Sequence, residues 1–309
     1  MDDAIEIKGL VKRYGPLMAV DGIDLTIRRG EIFALLGPNG AGKTTTIEIL
    51  EGFLRADSGT VRVLGHDPAK GEVALRQRIG IVPQESVADP HLTVREMVQM
   101  AHGTYPDPRP VDELITLVGL AAKANVRTGK LSGGQRRRLD VALALVGNPD
   151  LLFLDEPTTG FDPDARRQAW ALIRTLNEAG LTVILTTHYM DEAQNLANRI
   201  AVIVSGRIIS EGTPAALRRA VAKDATIRFS LNGDSATLPS SISGFVTTHH
   251  DNAYTLVVPN ERVIRVANEL TGWSVANGME IADLEIIRPS LEDIYLSLIK
   301  SAEAEGSPS

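Results

Sequence analysis

Residues Gly37-Pro38-Asn39-Gly40-Ala41-Gly42-Lys43-Thr44 follow the pattern G-x-x-x-x-G-K-[ST]. These residue types at this spacing answer to one chemistry. Gly37, Gly40 and Gly42 open backbone angles that other residues avoid, so the loop can wrap an anion with inward N–H groups. A helix starting at such a loop adds the positive end of its dipole at the same point. The Lys43 ammonium can reach the β- and γ-phosphates of a nucleotide. The Thr44 hydroxyl can hold Mg2+, and Thr45 is placed for the α-phosphate. The competing reading is a glycine turn with an accidental lysine. It leaves the flanks unexplained, because Ile32–Leu36 is an apolar run of strand length and Thr45–Leu50 reads as a helix.

Other candidate groups stand at the ends of apolar runs. LLFLDE (Leu151–Glu156) is a strand closed by two carboxylates. Side chains alternate along a strand, so the two acids are expected to face apart. Asp155 then suits the Mg2+ shell of a phosphate-loop enzyme, and Glu156 suits a base for water on the γ-phosphate side. Gln84 follows the strand Gly80–Pro83, and His188 follows Leu181–Thr186. Strand ends in open α/β sheets face the ligand crevice. His188 is either a structural histidine or a hydrogen-bonding partner of a γ-phosphate. Leu131-Ser132-Gly133-Gly134-Gln135 opens a helix with a glycine pair, giving either a second anion seat or a flexible loop. Arg136-Arg137-Arg138 can equally be a solvated helix face. Tyr14 either stacks on a purine or is a half-buried strand-end tyrosine.

Periodicity supplies the elements that must position these groups. Ala4–Leu10 alternates and reads as an edge strand; Asp21–Ile27 and Thr60–Leu64 are further strands. From about 89 to 147 the composition turns helical, with helices at His91–His102 and Val111–Val118 joined by a stiff connector at Tyr105–Pro110. Asp164–Ala179 is a helix closed by Gly180, and Ser205-Gly206 turns a hairpin. A boundary falls near Ala222–Asp224. Residues 1–222 form one domain, 223–300 a smaller α+β domain, and 301–309 a disordered tail. The last helix, capped at Ser290, runs to Lys300.

Composition narrows the function classes. The 309 residues are 43% hydrophobic and 23% charged, as in an ordinary globular chain with a sizeable core. A net charge of −7 speaks against a nucleic-acid binder, which shows a basic footprint. Without cysteine there is no disulfide frame and no thiolate metal site. The acidic start MDDAIEIKG is not a secretory signal. No run approaches the roughly 18 apolar residues of a membrane span, so a membrane role calls for a separate partner.

In order along the chain, GPNGAGKT, Gln84, LSGGQ, LLFLDE, the turn at Asp162 and His188 resemble the nucleotide-binding subunits of ABC transporters, from about Ile5 to Leu217. The stretch from Thr187 to Pro214 and the ending RPSLEDIYLSLIK narrow this to the ATPase subunits of ABC-2-type exporters, the daunorubicin-resistance group. The resemblance implies an α/β phosphate-loop NTPase fold with a helical subdomain. It also implies a head-to-tail homodimer with two ATPs and Mg2+ at its interface. Each ATP would lie in one chain's loop (Gly37, Pro38, Asn39, Gly40, Ala41, Gly42, Lys43, Thr44, Thr45). Ser132, Gly133, Gly134 and Gln135 of the other chain would close on its γ-phosphate.

The family's roles carry over as adenine stacking for Tyr14, Mg2+ for Thr44, Gln84 and Asp155, and general base for Glu156. Asp162 takes the interface turn and His188 the γ-phosphate. The 89–147 region would touch an ABC-2-type transmembrane permease. The subunit would then be cytoplasmic and peripheral on the inner face of the cell membrane, powering drug, lipid or polysaccharide efflux, with no nucleic acid involved. The alternatives are an importer subunit, or a soluble ABC protein acting on nucleic acid or ribosomes. The single cassette, the lack of a heptad run and the lack of cysteine oppose the latter. The C-terminal domain is either a dimerisation or regulatory module or a stabilising extension.

Overall fold

A computed structural model describes residues 3–84, 86, 88–221, 224–232, 238–250, 252–288, 292, 293, 295 and 296, with the backbone alone at 220, 221, 232 and 249. Ala222 and Lys223 of the expected boundary, the cap at Ser290 and the tail from Ser301 lie outside the described residues. The chain divides into two compact units, Met1–Pro214 and Ala215–Ser309.

The first unit runs β1 (Asp3–Tyr14), β2 (Leu17–Arg28), β3 (Ile32–Leu36), α1 (Lys43–Glu51), β4 (Ser58–Val63), α2 (Val73–Arg76), β5 (Ile79–Val82), α3 (Val94–His102), α4 (Val111–Leu117), α5 (Gly133–Ala144), β6 (Leu151–Asp155), α6 (Pro163–Glu178), β7 (Thr182–Thr187), α7 (Met190–Leu196), β8 (Arg199–Val204) and β9 (Arg207–Gly212). A six-stranded sheet has the order β5-β6-β7-β3-β8-β9, parallel throughout except for the β8–β9 hairpin. Its central strands β3 and β7 are buried along their whole length. A parallel sheet covered on both faces buries its central strands in this way. Phe33 and Phe153 fill the layer between the sheet and α1, which contributes Ile47 and Leu50. Parallel strands end on the same side, so Leu36, Val82, Asp155 and Thr187 deliver their following loops to one rim.

A second, antiparallel sheet has the order β2-β1-β4. β1 is therefore its central strand, not an edge strand. Alternation reports that one face is buried but says nothing of neighbours; β4 returns from beyond α1 to pair Val63 with Ile5. In the helical region, α3 opens with a capping box. Thr93 Oγ1 accepts from the Glu96 N–H, and the Glu96 carboxylate accepts from the Thr93 N–H at 2.8 Å.

The C-terminal part follows α8 (Pro214–Val221) with β10 (Asp224–Asn232), α9 (Ser240–Ser243), β11 (Val246–His250), β12 (Ala253–Pro259), α10 (Val263–Ala276) and β13 (Glu280–Ile287). Its antiparallel sheet has the order β11-β12-β10-β13. α10 seats Val263, Val266 and Leu270 on a core that includes Ile227 and Leu256. Phe229 stacks on Tyr254 with centroids 5.2 Å apart. α10 starts only after Arg262 and runs for 14 residues. Asn260–Arg262 complete the turn after Pro259, and Trp273 and Ser274 extend the helix to Ala276.

Candidate nucleotide site

The glycine loop spans the end of β3 and the start of α1, and its glycines are needed for separate reasons. A Cβ on Gly37 would stand 2.4 Å from the Ile203 carbonyl oxygen. On Gly42, at φ +101°, it would stand 2.3 Å from the carbonyl oxygen of Ala19 in β2. Gly40 holds φ +78°. The buried Lys43 ammonium folds back on the loop and donates to the carbonyls of Gly37 (2.7 Å) and Pro38 (3.0 Å). Burial pulls its pKa below the usual lysine range, while Glu156 and Asp155 pull it up. The Thr46 hydroxyl is committed to the Gly42 carbonyl at 2.8 Å. Those of Thr44 and Thr45 make no hydrogen bond among the described residues. A cradle that any Cβ would close, a buried cation and two uncommitted hydroxyls fit a phosphate chain with a hard cation.

At the rim of β6, Asp155 accepts a short hydrogen bond on Oδ1 from the Thr186 hydroxyl of β7. The strand ends there. Glu156 lies beyond it at φ +46°, a left-handed angle that costs a non-glycine residue about 1–2 kcal/mol. The two acids therefore diverge because the backbone turns over, not by strand alternation. The Glu156 N–H donates to the carbonyl (3.2 Å) and the hydroxyl (3.1 Å) of Thr186. Its carboxylate meets His188 Nδ1 at 3.0 Å and accepts from the Thr159 hydroxyl at 3.2 Å. His188 is thus joined to the second carboxylate, and its ring lies 4.1 Å from that of Tyr189.

LSGGQ is a capped helix start rather than a flexible loop. Ser132 Oγ accepts from the Gln135 N–H at 3.3 Å, and Gln135 Oε1 accepts from the Ser132 N–H at 3.1 Å. Asp162 caps α6 by accepting from the N–H groups of Asp164 (3.0 Å) and Ala165 (2.8 Å). Gln84, Ser132, Gly133, Gly134, Glu156 and Asp162 border one cavity of about 600 Å3. The glycine loop and Tyr14 do not line it. Tyr14 is exposed at the β1–β2 hairpin, with the Lys12 ammonium 5.7 Å from its ring.

Several residues here went unread in the sequence. Arg137 is buried, not part of a solvated face, while Arg138 reaches the Gln168 side chain. Thr186 is a buried polar residue near the end of β7, directly after the apolar run Val183–Leu185, which is the signal that could have marked it. Glu192 is wholly buried and accepts from Thr158 (2.8 Å) and Trp170 (3.2 Å), and burial raises its pKa.

Glu51, at the end of α1, has its pKa pushed up to about 8, first by burial and then by Asp155 and Glu48. Its neutral form is favoured in the folded chain. The stability this gives is complete below pH 4.5 and is lost as pH rises towards about 8. At ~1.4 kcal/mol per pKa unit the loss is capped near 5 kcal/mol, and screening at a partly solvated site leaves about 2 kcal/mol. Glu51→Gln should accordingly match the parent in unfolding free energy from urea titration at pH 4 and exceed it by that amount at pH 8.5. Parallel curves at both pH values would exclude the effect.

A phosphate-cradling loop on a parallel sheet, with an acid pair at the end of a strand one removed from it, defines a phosphate-loop ATPase. Residues 20–159 match the ABC transporter family. The daunorubicin/doxorubicin resistance ATP-binding protein DrrA of Streptomyces peucetius is 40% identical over 305 residues, covering 96% of this chain and 92% of that protein. The Nod factor export ATP-binding protein I of Paraburkholderia xenovorans is 46% identical over 221 residues, 69% of this chain and 72% of that one. The solved ATP-binding cassette MJ0796, a dimer in a post-hydrolysis state with ADP and phosphate, superposes with a TM-score of 0.61 at 26% identity, over 68% of this chain and 98% of its own. The chain belongs to the ABC transporter family. It is an ATP-binding, ATP-hydrolysing subunit that powers an exporter. Among the described residues, no helix is long and apolar enough to cross a membrane.

Proposed function

We propose that this subunit hydrolyses ATP with Mg2+ as a head-to-tail homodimer, driving efflux of a drug, lipid or polysaccharide through a separate ABC-2-type permease. One observation carries the reading. The Ser132–Gly133 tip is exposed, with open space beyond Gly133, and the cavity it borders is not lined by its own glycine loop, which supports its closing on a nucleotide held by a second copy. The related cassette is a dimer with ADP and phosphate, which supports a dimer here.

In this reading Gly37–Thr45 cradle the phosphates, and Lys43 exchanges its loop carbonyls for phosphate oxygens. Tyr14 stacks on adenine. Thr44, Asp155 and Gln84 would hold Mg2+, which neutralises phosphate charge when bound. Glu156 takes a proton from the attacking water. His188, hydrogen-bonded to Glu156 through Nδ1, presents its other ring nitrogen to the γ-phosphate. Asp162 supports the interface turn. Residues 1–222 form the nucleotide-binding domain with a helical subdomain at about 89–147, and 223–300 form an accessory domain.

A cleft of about 260 Å3, lined by Glu51, Phe53, Tyr105 and Leu143, also reaches Pro83 and Asp140 beside Gln84. It is where the permease would meet the subunit, on the inner face of the membrane. Export is favoured over import because the similarity to the resistance protein continues through the C-terminal part. The test uses inside-out vesicles holding this chain and an ABC-2-type permease that co-purifies with it. ATP should drive accumulation of daunorubicin, a labelled lipid or an oligosaccharide, and Glu156→Gln should abolish it. ATP hydrolysis by the complex with no accumulation of any of the three cargoes would overturn export.

A further inference from the structure

Arg137 lies one turn inside α5, the helix that Ser132 opens, and its guanidinium is buried beneath the catalytic rim. Among the described residues no carboxylate hydrogen-bonds to it; its donors go to backbone carbonyls at the ends of different elements. One terminal nitrogen donates to the Pro83 carbonyl at the end of β5, adjoining Gln84. The other donates to the Asp155 carbonyl at 2.7 Å, and Nε to the Pro157 carbonyl at 3.3 Å. The first of these nitrogens also reaches the Gln84 carbonyl at 3.5 Å. A planar fork with fixed donors matches four carbonyls that converge in this way, and a lysine cannot reproduce it.

The Asp155 carbonyl belongs to the peptide group whose N–H is that of Glu156. Thr186 accepts from that N–H, through both its carbonyl and its hydroxyl. The peptide is thus held at its oxygen by Arg137 and at its nitrogen by β7. The clamp falls immediately before Glu156, a non-glycine residue held at the left-handed angle φ +46°. A non-glycine residue keeps such an angle only where its surroundings over-determine it.

We propose that Arg137 is a positioning residue for hydrolysis: its guanidinium locks the Asp155–Glu156 peptide in the orientation that aims the Glu156 carboxylate, and ties that orientation to Gln84 and to the helix bearing the serine–glycine tip. Movement of the tip on a partner's nucleotide is then carried, through one side chain, to the same chain's own carboxylate. The inference rests on the reading of Glu156 as base, and on the tip serving a second copy.

The test is a kinetic split measured on the full chain. Arg137→Lys keeps the charge but loses the fork; Arg137→Gln removes the buried charge and serves if the lysine variant does not fold. Both should bind ATP within about twofold of the parent, because the glycine loop is untouched. Their kcat should fall by on the order of 30- to 100-fold, the scale of a misplaced catalytic group. Adding methylguanidinium to Arg137→Ala should restore part of kcat at unchanged nucleotide affinity. Glu156→Gln is run in parallel. If it loses turnover while Arg137→Lys and Arg137→Gln retain it, the positioning role is wrong and the base assignment stands. If Glu156→Gln retains turnover, the base assignment itself has failed. Turnover lost only in proportion to thermal unfolding would reduce Arg137 to a structural residue and overturn the inference.

Discussion

Glu156→Gln is expected to bind ATP like the parent and to hydrolyse it at least about 10²-fold more slowly, the scale of a lost general base. The substitution keeps side-chain length and leaves an amide oxygen for the Thr159 hydroxyl, which now lies 3.2 Å from the carboxylate. What it removes is basicity. The left-handed backbone and the Thr186 contacts to the Glu156 N–H survive, because neither involves the carboxylate. The variant should therefore fold normally and accumulate as an ATP-bound dimer. Single-turnover hydrolysis with purified chain, alongside equilibrium binding of a fluorescent ATP analogue, separates the two effects. Turnover at the parental rate would mean that another group takes the proton.

Ser132→Arg is expected to abolish ATP-dependent dimers while sparing ATP binding by the monomer. Two physical effects combine. Loss of the serine oxygen breaks the capping box with Gln135, at about 1 kcal/mol of helix stability. The larger effect is steric and electrostatic, because a long cation replaces a small hydroxyl at an exposed tip that must approach a triphosphate closely. Gly133 beside it has nothing within 4 Å of a would-be Cβ, so the tip is open to an incoming surface. Sedimentation with ATP, in the Glu156→Gln background that traps dimers, reads the result directly. Dimers persisting in the double variant would show that the tip does not close on nucleotide.

The phosphate loop could be recognised from residue types because its chemistry admits few substitutes. Small residues are demanded wherever a carbonyl such as that of Ala19 or Ile203 presses on the backbone. Buried strands were likewise legible, since Ile32–Leu36 and Leu151–Leu154 are apolar runs without alternation. Arg137 was not legible. Arg136, Arg137 and Arg138 are chemically identical, and only the facing carbonyls of Pro83, Asp155 and Pro157 decide which one turns inward. The left-handed angle of Glu156 was hidden for a related reason. No local pattern distinguishes an acid that continues a strand from one that leaves it; the distinction is imposed by Thr186, which is remote in sequence. The placement of β1 at the centre of its sheet was invisible too, because pairing partners are a property of the assembled chain.

The contact between Ala19 and Gly42 has a practical side. A carbonyl from the antiparallel sheet acts as a wedge behind the nucleotide loop, and any side chain at Gly42 would collide with it. Attempts to pare this protein down to a minimal ATP-responsive scaffold should therefore keep the amino-terminal hairpin intact. Purification tags are better placed at the far end of the polypeptide. Shortened versions beginning at Ile32 would lose the surface against which the loop is moulded.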